Sequence, residues 1–312
     1  VGISSLILKK LVQDAEKQHG TLDTVVATVP ANFADPARQA TKKAVIEAGI
    51  NFQNIIDEPT AAALHYAFSN TLAGKIMIYD FGGGTFDITI ADVSGKEIRV
   101  LTSQGDQHLG GTDIDRIILE KIKEAYKKEK NADLINEQNE RNEIHYMLQA
   151  EKIKKNLTKK ETHKEPIKGN EGGIIVEFTR SDFESSVAAL MSKIDALIDG
   201  ALFELKIKEK DITDVLLVGG STRLPIVIKN IRKRFNKDPL TGVNVDEAVA
   251  QGAALYAGKK TDREKLTPTQ AVELNKINLK QVSNQWFGTT IQEFDEEKNE
   301  WKRVNATMIA KN

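Results

Sequence analysis

Alternating and continuous apolar residues mark the strands of this chain, most clearly in the segment 76–90, IMIYDFGGGTFDITI. Apolar runs on both sides of three glycines predict a β-hairpin with one aspartate, Asp80 or Asp87, on each arm. The glycines allow left-handed dihedrals and close approach of a ligand, and successive N–H groups in such a turn can hold an anion. A tight hairpin with solvated acids explains the pattern equally well, so the hairpin alone favours neither interpretation.

An anion in this turn would need a cation, because the two aspartates would otherwise repel it. Mg²⁺ suits that role, since it keeps its waters and bridges carboxylates to phosphate oxygens. A second glycine turn strengthens this interpretation: in 214–225, DVLLVGGSTRLP, an apolar strand runs through Gly219 and Gly220 into a helix. Such a helix N-terminus is a ready contact for a phosphate or nucleotide. The spacing matches neither a Walker A loop nor a GxGxxG fingerprint.

A weak internal repeat indicates two related lobes. Residues 57–67, DEPTAAALHYA, resemble 246–257, DEAVAQGAALYA, and each segment follows a strand-turn-helix unit. The small residues would let two such helices pack closely, although two unrelated Ala-rich helices are the alternative. Residues 1–20 already read as a helix, because apolar residues recur at helical spacing. No hairpin precedes the first unit, so we expect the matching hairpin to lie upstream of Val1.

The chain resembles the nucleotide-binding domain of the heat-shock protein 70 chaperone family, over roughly residues 1–258. The stretches that carry the resemblance are VVATVPANFADPARQATKKA (25–44), NIIDEPTAAALHYA (54–67), IYDFGGGTFDITI (78–90), GDQHLGGTDID (105–115), VLLVGGSTRLP (215–225) and VDEAVAQGAALYAG (245–258). The resemblance implies an α/β chain with the actin-like ATPase fold, in which ribonuclease H-like lobes are duplicated. It also implies that the first lobe is incomplete, because nothing here matches the family's first phosphate loop or its catalytic lysine.

The pattern and the resemblance together predict five divisions of the chain. They are a remnant of lobe I (1–71) with two strands and three helices, the core of lobe II (72–109 and 196–258), an α+β outer subdomain (110–195), a linker (259–282), and the first strands of a truncated peptide-binding β-domain (283–312). Within the outer subdomain, Ser181 to Glu184 fits a capping box that begins a helix. The linker candidate, KINLKQV (276–282), has few apolar residues, which puts its docking in doubt.

Composition sets limits on function. A net charge of −1 gives no electrostatic reason to expect nucleic acid or an anionic membrane as a partner. No apolar run approaches the length of a membrane-spanning helix. The chain has no cysteine, which excludes disulfides and thiolate metal sites, and its five histidines show no ligand spacing. We expect a cytoplasmic protein, with ATP or ADP and Mg²⁺ as its ligands through the resemblance.

The resemblance assigns roles to residues on the phosphate side of the site. Asp80 and Asp87 would hold water ligands of Mg²⁺, and Glu58 would orient the attacking water or the metal shell. Thr85 would place a hydroxyl near the γ-phosphate. Gly82, Gly83 and Gly84 would offer backbone N–H groups to the phosphates. Pro59 would relay the nucleotide state to Arg38, although a proline that simply ends a strand is an equal alternative.

The resemblance also assigns a nucleoside side. The residues matched to nucleotide contacts are Gly111, Glu151, Lys154, Lys155, Thr158, Gly219, Gly220, Ser221, Arg223 and Asp246. On a helix, positions 151, 154, 155 and 158 share one face. Without the resemblance, these charged residues would be interpreted as a solvated helix surface. Lys155 takes the place of the family's usual arginine, which stacks better on a base than lysine does.

Three classes of function remain at this point. The leading one is an ATP-binding, chaperone-type ATPase domain that acts with J-domain co-chaperones, nucleotide exchange factors and unfolded clients. For this truncated chain alone we expect nucleotide binding with little or no turnover. The second class is a non-catalytic fragment or interaction module, and the third is another actin-fold phosphotransferase such as a sugar kinase. Continuous matches such as VPANFADPARQA argue against the third.

Overall fold

The computed structural model describes residues 1–22, 24–69, 73–135, 142–240, 244–280, 287–295 and 300–309. Its helices are α1 (Gly2–His19), α2 (Asp35–Glu47), α3 (Glu58–Ser69), α4 (Gly111–Lys130), α5 (Glu143–Lys159), α6 (Arg180–Ser186), α7 (Ala188–Leu205), α8 (Pro225–Phe235), α9 (Ala248–Lys260) and α10 (Pro268–Asn275). Its strands are β1 (Val25–Val29), β2 (Phe52–Asp57), β3 (Ala73–Phe81), β4 (Phe86–Ser94), β5 (Glu97–Asp106), β6 (Thr162–Gly169), β7 (Gly172–Thr179), β8 (Ile212–Val218), β9 (Asn278–Lys280), β10 (Phe287–Asp295) and β11 (Glu300–Ile309).

A five-stranded sheet in the order β8-β3-β4-β5-β9 carries the predicted hairpin, which is confirmed as β3 and β4. β3, β4 and β5 are antiparallel neighbours, whereas β8 lies parallel to β3 at one side. Since side chains alternate along a strand, the sheet separates two cores. Met77 and Tyr79 belong to the core shared with α4, α5 and α7, and Ile76 and Ile78 belong to the core shared with α3 and α9.

Residues 1–69 contain the two strands and three helices that the sequence predicts. β1 and β2 form a two-stranded parallel sheet, in which Val29 pairs with Asp57. The apolar face of α1, with Ile3 and Leu6 among its residues, is exposed to solvent. The proposed boundary at 71–72 lies outside the described residues.

The two helices of the internal repeat, α3 and α9, pack against each other. Gly252 of α9 meets the backbone of Ala61 on α3 so closely that a Cβ at Gly252 would lie 1.7 Å from the Ala61 carbonyl oxygen. Both Ala61 and Ala248 are fully buried. The small residues in the repeat therefore permit the close helix packing that the sequence predicts.

The part of the chain from α4 to α7 contains more structure than the sequence indicated. The hairpin of β6 and β7 includes a strand, β6, that sequence reasoning missed. The predicted capping box at Ser181 is wrong by two positions, because the side chain of Thr179 accepts the hydrogen bond from the Asp182 backbone N–H and α6 begins at Arg180. Thr179 is the last residue of β7, so the strand runs directly into the helix.

The doubt about docking of the linker candidate is not supported for its described part. β9 adds to the central sheet parallel to β5, with Ile98 opposite Leu279. The candidate linker has few apolar residues, but Ile277 is only 2% exposed and so contributes to the docking. Ion pairs add to this contact, with Lys280 Nζ 2.9 Å from the Glu97 carboxylate. Residues 281 and 282 of the candidate linker lie outside the described residues.

Beyond the central sheet, β10 and β11 pair antiparallel as a separate hairpin. Their formation agrees with the strand-like alternation of the C-terminal segment, while its assignment to a peptide-binding domain stays a prediction. Over the described ranges, no helix combines the length and the apolar character needed to cross a bilayer.

Candidate functional site

The two hairpin aspartates lie directly opposite each other on adjacent strands. Asp80 near the end of β3 pairs with Asp87 near the start of β4, so both side chains leave the same face of the sheet. Asp87 is only 1% exposed and Asp80 is also buried. Like charges opposite each other are destabilising in a sheet. Their presence therefore points to a role in the site that outweighs that cost.

A third carboxyl, Glu58, completes an acidic cluster on this face. It begins α3 immediately after β2 ends at Asp57. Burial raises the pKa of Glu58 to about 7, and the charges of Asp80 and Asp57 add to the effect. Burial likewise raises the pKa of Asp80 to about 7, with Asp87 contributing, and that of Asp87 to about 7, with Glu58 contributing. The cluster is therefore short of positive charge.

Hydrated Mg²⁺ fits this cluster. In the described part of the chain, no group of three or more His, Cys, Asp or Glu side chains is placed to ligate a metal directly. Mg²⁺ usually keeps several waters, and carboxylates can hold it through them. The buried Oδ1 of Asp87 has no hydrogen-bond partner among the described residues, and buried polar atoms need one. Asp80 and Asp87 would hold the ion through its waters.

Arg38, to which Pro59 is predicted to relay the nucleotide state, pairs with an acid next to this cluster. Its guanidinium lies 2.6 Å from Asp57, the residue before Glu58. It also donates to the backbone carbonyls of Phe33 and Ala31, which position it. Pro59 lies in the first turn of α3, where proline is well tolerated. Pro59 is the second residue of α3 and follows the end of β2 by two positions, so it lies at the start of the helix and does not itself end the strand. The relay to Arg38 stays a prediction.

The glycine turn between the aspartates is hydrogen-bonded to the first turn of α4. The backbone N–H groups of Gly111 and Thr112 donate to the carbonyls of Gly82 and Gly83, at 3.0 and 2.8 Å. The Thr112 hydroxyl also donates to Gly83 at 2.8 Å. Within the turn, the Gly82 N–H donates to Thr85 at 3.1 Å. The carbonyls of Gly82 and Gly83 are thus bound by protein donors.

The second glycine turn lies against the first. Gly219 follows β8 with φ +86°, and a Cβ there would lie 2.5 Å from the Phe81 carbonyl oxygen. Only glycine meets both requirements, the left-handed φ and the absence of a side chain. The hydroxyl of Ser221 then donates to the Gly82 carbonyl at 2.8 Å. The two turns that the sequence singled out are therefore in direct contact.

An open cleft of about 570 Å³ begins at these turns and extends between α5 and the segment after β8. Sequence-predicted site residues line most of it: Gly83, Glu151, Lys154, Lys155, Thr158, Gly220, Ser221, Arg223 and Asp246. These residues are far apart in the sequence, and the fold brings them to one cavity. Leu224 and Lys159 also line it and were not predicted. The other predicted site residues are not among its lining residues: Glu58, Asp80, Asp87, Gly82, Gly84, Thr85, Gly111 and Gly219.

Ion pairs edge the cleft on both sides. Arg223 and Asp246 are 2.6 Å apart, and both are about half exposed. Glu151 and Lys155 are 2.8 Å apart, one helical turn along α5. Their hydrogen bond lowers the pKa of Glu151 and raises the pKa of Lys155. These exposed pairs hold charged groups in place without a large contribution to stability.

Sequence reasoning missed two residues that the structure brings to the site. The backbone of Asn32, in the loop after β1, favours the charged form of the Asp87 carboxylate and so opposes the rise of its pKa. Asp115 in α4 lies 2.8 Å from the ammonium of Lys154. Both belong to stretches that carry the family resemblance, but neither is an unusual residue in its local pattern. Their contacts join distant segments and leave no periodic signal.

The mixed α/β architecture, with paired carboxylates and two touching glycine turns, agrees with the actin-like ATPase fold that the sequence predicts. A family model described as Hsp70 protein matches residues 1–285, which is most of the chain. This chain belongs to the Hsp70 family.

Curated relatives agree with the family match. The chain is 41% identical over 261 residues to the chaperone protein DnaK of Thermosipho africanus (strain TCF52B). It is 40% identical over 261 residues to the chaperone protein DnaK of Thermosipho melanesiensis (strain DSM 12029 / CIP 104789 / BI429). Each alignment covers 82% of this chain and 44% of the relative. The chain therefore spans less than half the length of the curated relatives it matches.

Proposed function

We propose that this chain binds ATP and ADP together with Mg²⁺, as the nucleotide-binding part of a DnaK-like chaperone whose ATP hydrolysis drives binding and release of client proteins. The observation that carries the proposal is the cleft, where nine predicted contact residues from distant segments meet. The adjacent carboxylate cluster supplies a site for the cation that a di- or triphosphate needs. Cytoplasmic location, J-domain co-chaperones, nucleotide exchange factors and unfolded clients belong to the same proposal and rest on the family alone.

The residues divide the work of binding between phosphate and nucleoside. The N–H groups of Gly83 and Gly84 would face the phosphates, whereas the Gly82 N–H is already bound to the Thr85 carbonyl. The residues of α5 together with Arg223 would face the nucleoside. When bound, Mg²⁺ would neutralise phosphate charge and orient the transferred group. Glu58, with a pKa raised to about 7 by burial, is suited to accept a hydrogen bond or a proton from the attacking water. Asp80 and Asp87 would orient the waters around the cation.

Calorimetry with Mg-ADP tests the proposed binding. We expect saturable binding by the wild-type chain and several-fold weaker binding by the double variant Glu151→Ala/Lys155→Ala, which removes an ion pair from the cleft. The matched control is Lys10→Ala/Asp14→Ala, which removes an exposed pair of the same spacing on α1. Absence of binding at millimolar Mg-ADP, or equal losses in both double variants, would contradict the proposal.

Turnover distinguishes the ATPase from the non-catalytic alternative. We predict that this chain alone has little or no ATP hydrolysis, because none of its residues matches the family's first phosphate loop or catalytic lysine. A single-turnover assay with radiolabelled ATP measures it. Hydrolysis at a readily measurable rate, abolished by Asp80→Ala, would show that the residues of this chain suffice and that the low-turnover prediction is wrong.

A further inference from the structure

A buried ion pair joins the two halves of the site, which are the helix α5 and the glycine turn 82–84 with the start of α4. The ammonium of Lys154 on α5 lies 2.8 Å from Oδ1 of Asp115 on α4 and donates to Oδ2 at 2.9 Å. The side chains are 11% and 9% exposed, in contrast to the solvated pairs around them. A buried pair of this kind is costly to desolvate, so it contributes little net stability. Stability alone therefore does not account for the pair.

The lysine of this pair also contacts the backbone that supports the glycine turn 82–84, which is the proposed phosphate turn. Lys154 Nζ also donates to the Gly111 carbonyl at 3.0 Å, and Gly111 and Thr112 donate to the carbonyls of the glycine turn. A Cβ at Gly111 would lie 2.6 Å from Ser221 Oγ and 3.0 Å from Lys154 Nζ. The first residue of α4 is therefore enclosed between the second glycine turn and the lysine. A chain of contacts runs from Asp115 through Lys154 and Gly111 to Gly82.

Two of the three donors of Lys154 are already occupied. An ammonium has three N–H donors, and the Gly111 carbonyl and the Asp115 carboxylate each accept one in this structure. The resemblance assigns Lys154 to the nucleotide itself. The geometry instead places its charged end between the nucleoside helix α5 and the helix α4 that supports the phosphate turn.

We infer that Asp115 is a positioning residue for nucleotide binding. Through Lys154 it holds α5 and the first turn of α4 in one arrangement before the ligand enters. The inference rests on the proposed function, because a nucleotide is a ligand that must contact both halves at once. Holding two contact regions at the correct separation increases the affinity of a ligand that spans them, and it matters much less for a ligand that touches one.

Three ligands separate positioning from a general loss of stability: Mg-ADP, which spans both halves, adenosine, and Mg-pyrophosphate. In Asp115→Asn, which keeps the shape and removes the charge, we expect Mg-ADP affinity to fall about tenfold. Affinity for adenosine and for Mg-pyrophosphate should change less than about twofold. Calorimetry or competition binding measures all three.

Two further variants guard against misfolding and test the route through Lys154. Asp115→Asn/Lys154→Gln leaves no unpaired charge in the interior, and we expect it to bind Mg-ADP no more weakly than Asp115→Asn alone or Lys154→Gln alone. Glu120→Gln, an exposed acid of α4 paired with Lys123, is the control and should bind all three ligands like the wild type. Additive losses in the double variant would show that Asp115 does not act through Lys154.

The possible failures differ from one another. Wild-type binding of Mg-ADP with equal affinity in Asp115→Asn, or equal losses for all three ligands, overturns the positioning role and leaves the proposed function intact. A wild-type chain that binds no Mg-ADP overturns both.

Discussion

The proposed phosphate side and the proposed nucleoside side of the site place their charged residues in opposite ways. On the phosphate side, Asp80 and Asp87 are buried between core strands, and burial raises the pKa of each to about 7. On the nucleoside side, Lys155 is 70% exposed and pairs with Glu151 on the helix surface. One side concentrates like charge in the interior, and the other displays opposite charges to solvent.

The difference indicates which side of the site changes the free energy of ligand binding more. Buried like charges destabilise the metal-free fold, and a bound cation relieves that destabilisation. Exposed ion pairs cost and contribute little, so each nucleoside contact should be weak and replaceable. Substitutions on the phosphate side should therefore have larger effects, and on stability and binding in opposite directions.

Removing one buried carboxylate should have the largest effect. In Asp87→Asn, Mg-ADP affinity should fall about a hundredfold, because groups that orient ligands around a metal typically contribute 10–100-fold to its affinity. The dependence of ADP binding on Mg²⁺ should largely disappear. Calorimetry with and without Mg²⁺ measures both quantities. Asp92→Asn, at an aspartate further along the same strand, is the control, and an equal loss in this variant would break the contrast.

The same substitution should stabilise the metal-free protein. The folded pKa of Asp87, about 7, lies above the unfolded value of about 3.9, so its protonation favours the fold at low pH. That stabilisation is present below pH ~4 and is lost as the pH rises to ~7. With a chelator at pH 8, Asp87→Asn should therefore be more stable than the wild type by about 4 kcal/mol, and the difference should vanish near pH 4. Urea denaturation at several pH values measures it, and a variant less stable at pH 8 would contradict the account.

The smallest effect is expected on the nucleoside side. Replacing Lys155 with arginine should tighten adenine nucleotide binding by about 0.5–1 kcal/mol, because a planar guanidinium stacks better on a base. The control is Lys152→Arg, which changes a lysine of α5 that pairs with Glu165 and does not line the cleft. Equal or weaker nucleotide affinity in Lys155→Arg would mean that this part of α5 does not face the base.

Local patterns predicted the hairpin because two independent signals, strand alternation and a glycine turn, coincide at residues 76–90. The strand β6 was missed because its core-facing positions include Glu165, a buried acid that pairs with Lys152 and His163. A charged residue directed inward reverses the polarity on which the strand pattern depends. The N-cap of α6 was misplaced because Thr179 is both the last residue of the strand and the N-cap of the helix.

The cleft could be assigned from the sequence only through the resemblance. The charge pattern of α5 is that of an ordinary solvated helix, and for Lys155 the structure agrees with that pattern. Lys154 differs because Asp115, distant in the sequence, removes it from solvent. No periodicity encodes a contact between two helices, so burial of one lysine and exposure of its neighbour could not be distinguished in advance.

Amide hydrogen exchange with and without Mg-ADP tests most directly whether the two sides form one nucleotide site. The account predicts added protection in four segments together: the turn 82–85, the start of α4 at 111–112, the helix segment 151–158 and the turn 219–223. Residues 287–295 should be unchanged, because β10 belongs to a separate hairpin. Protection confined to one side, or absent from all four segments at saturating Mg-ADP, would contradict the central claim.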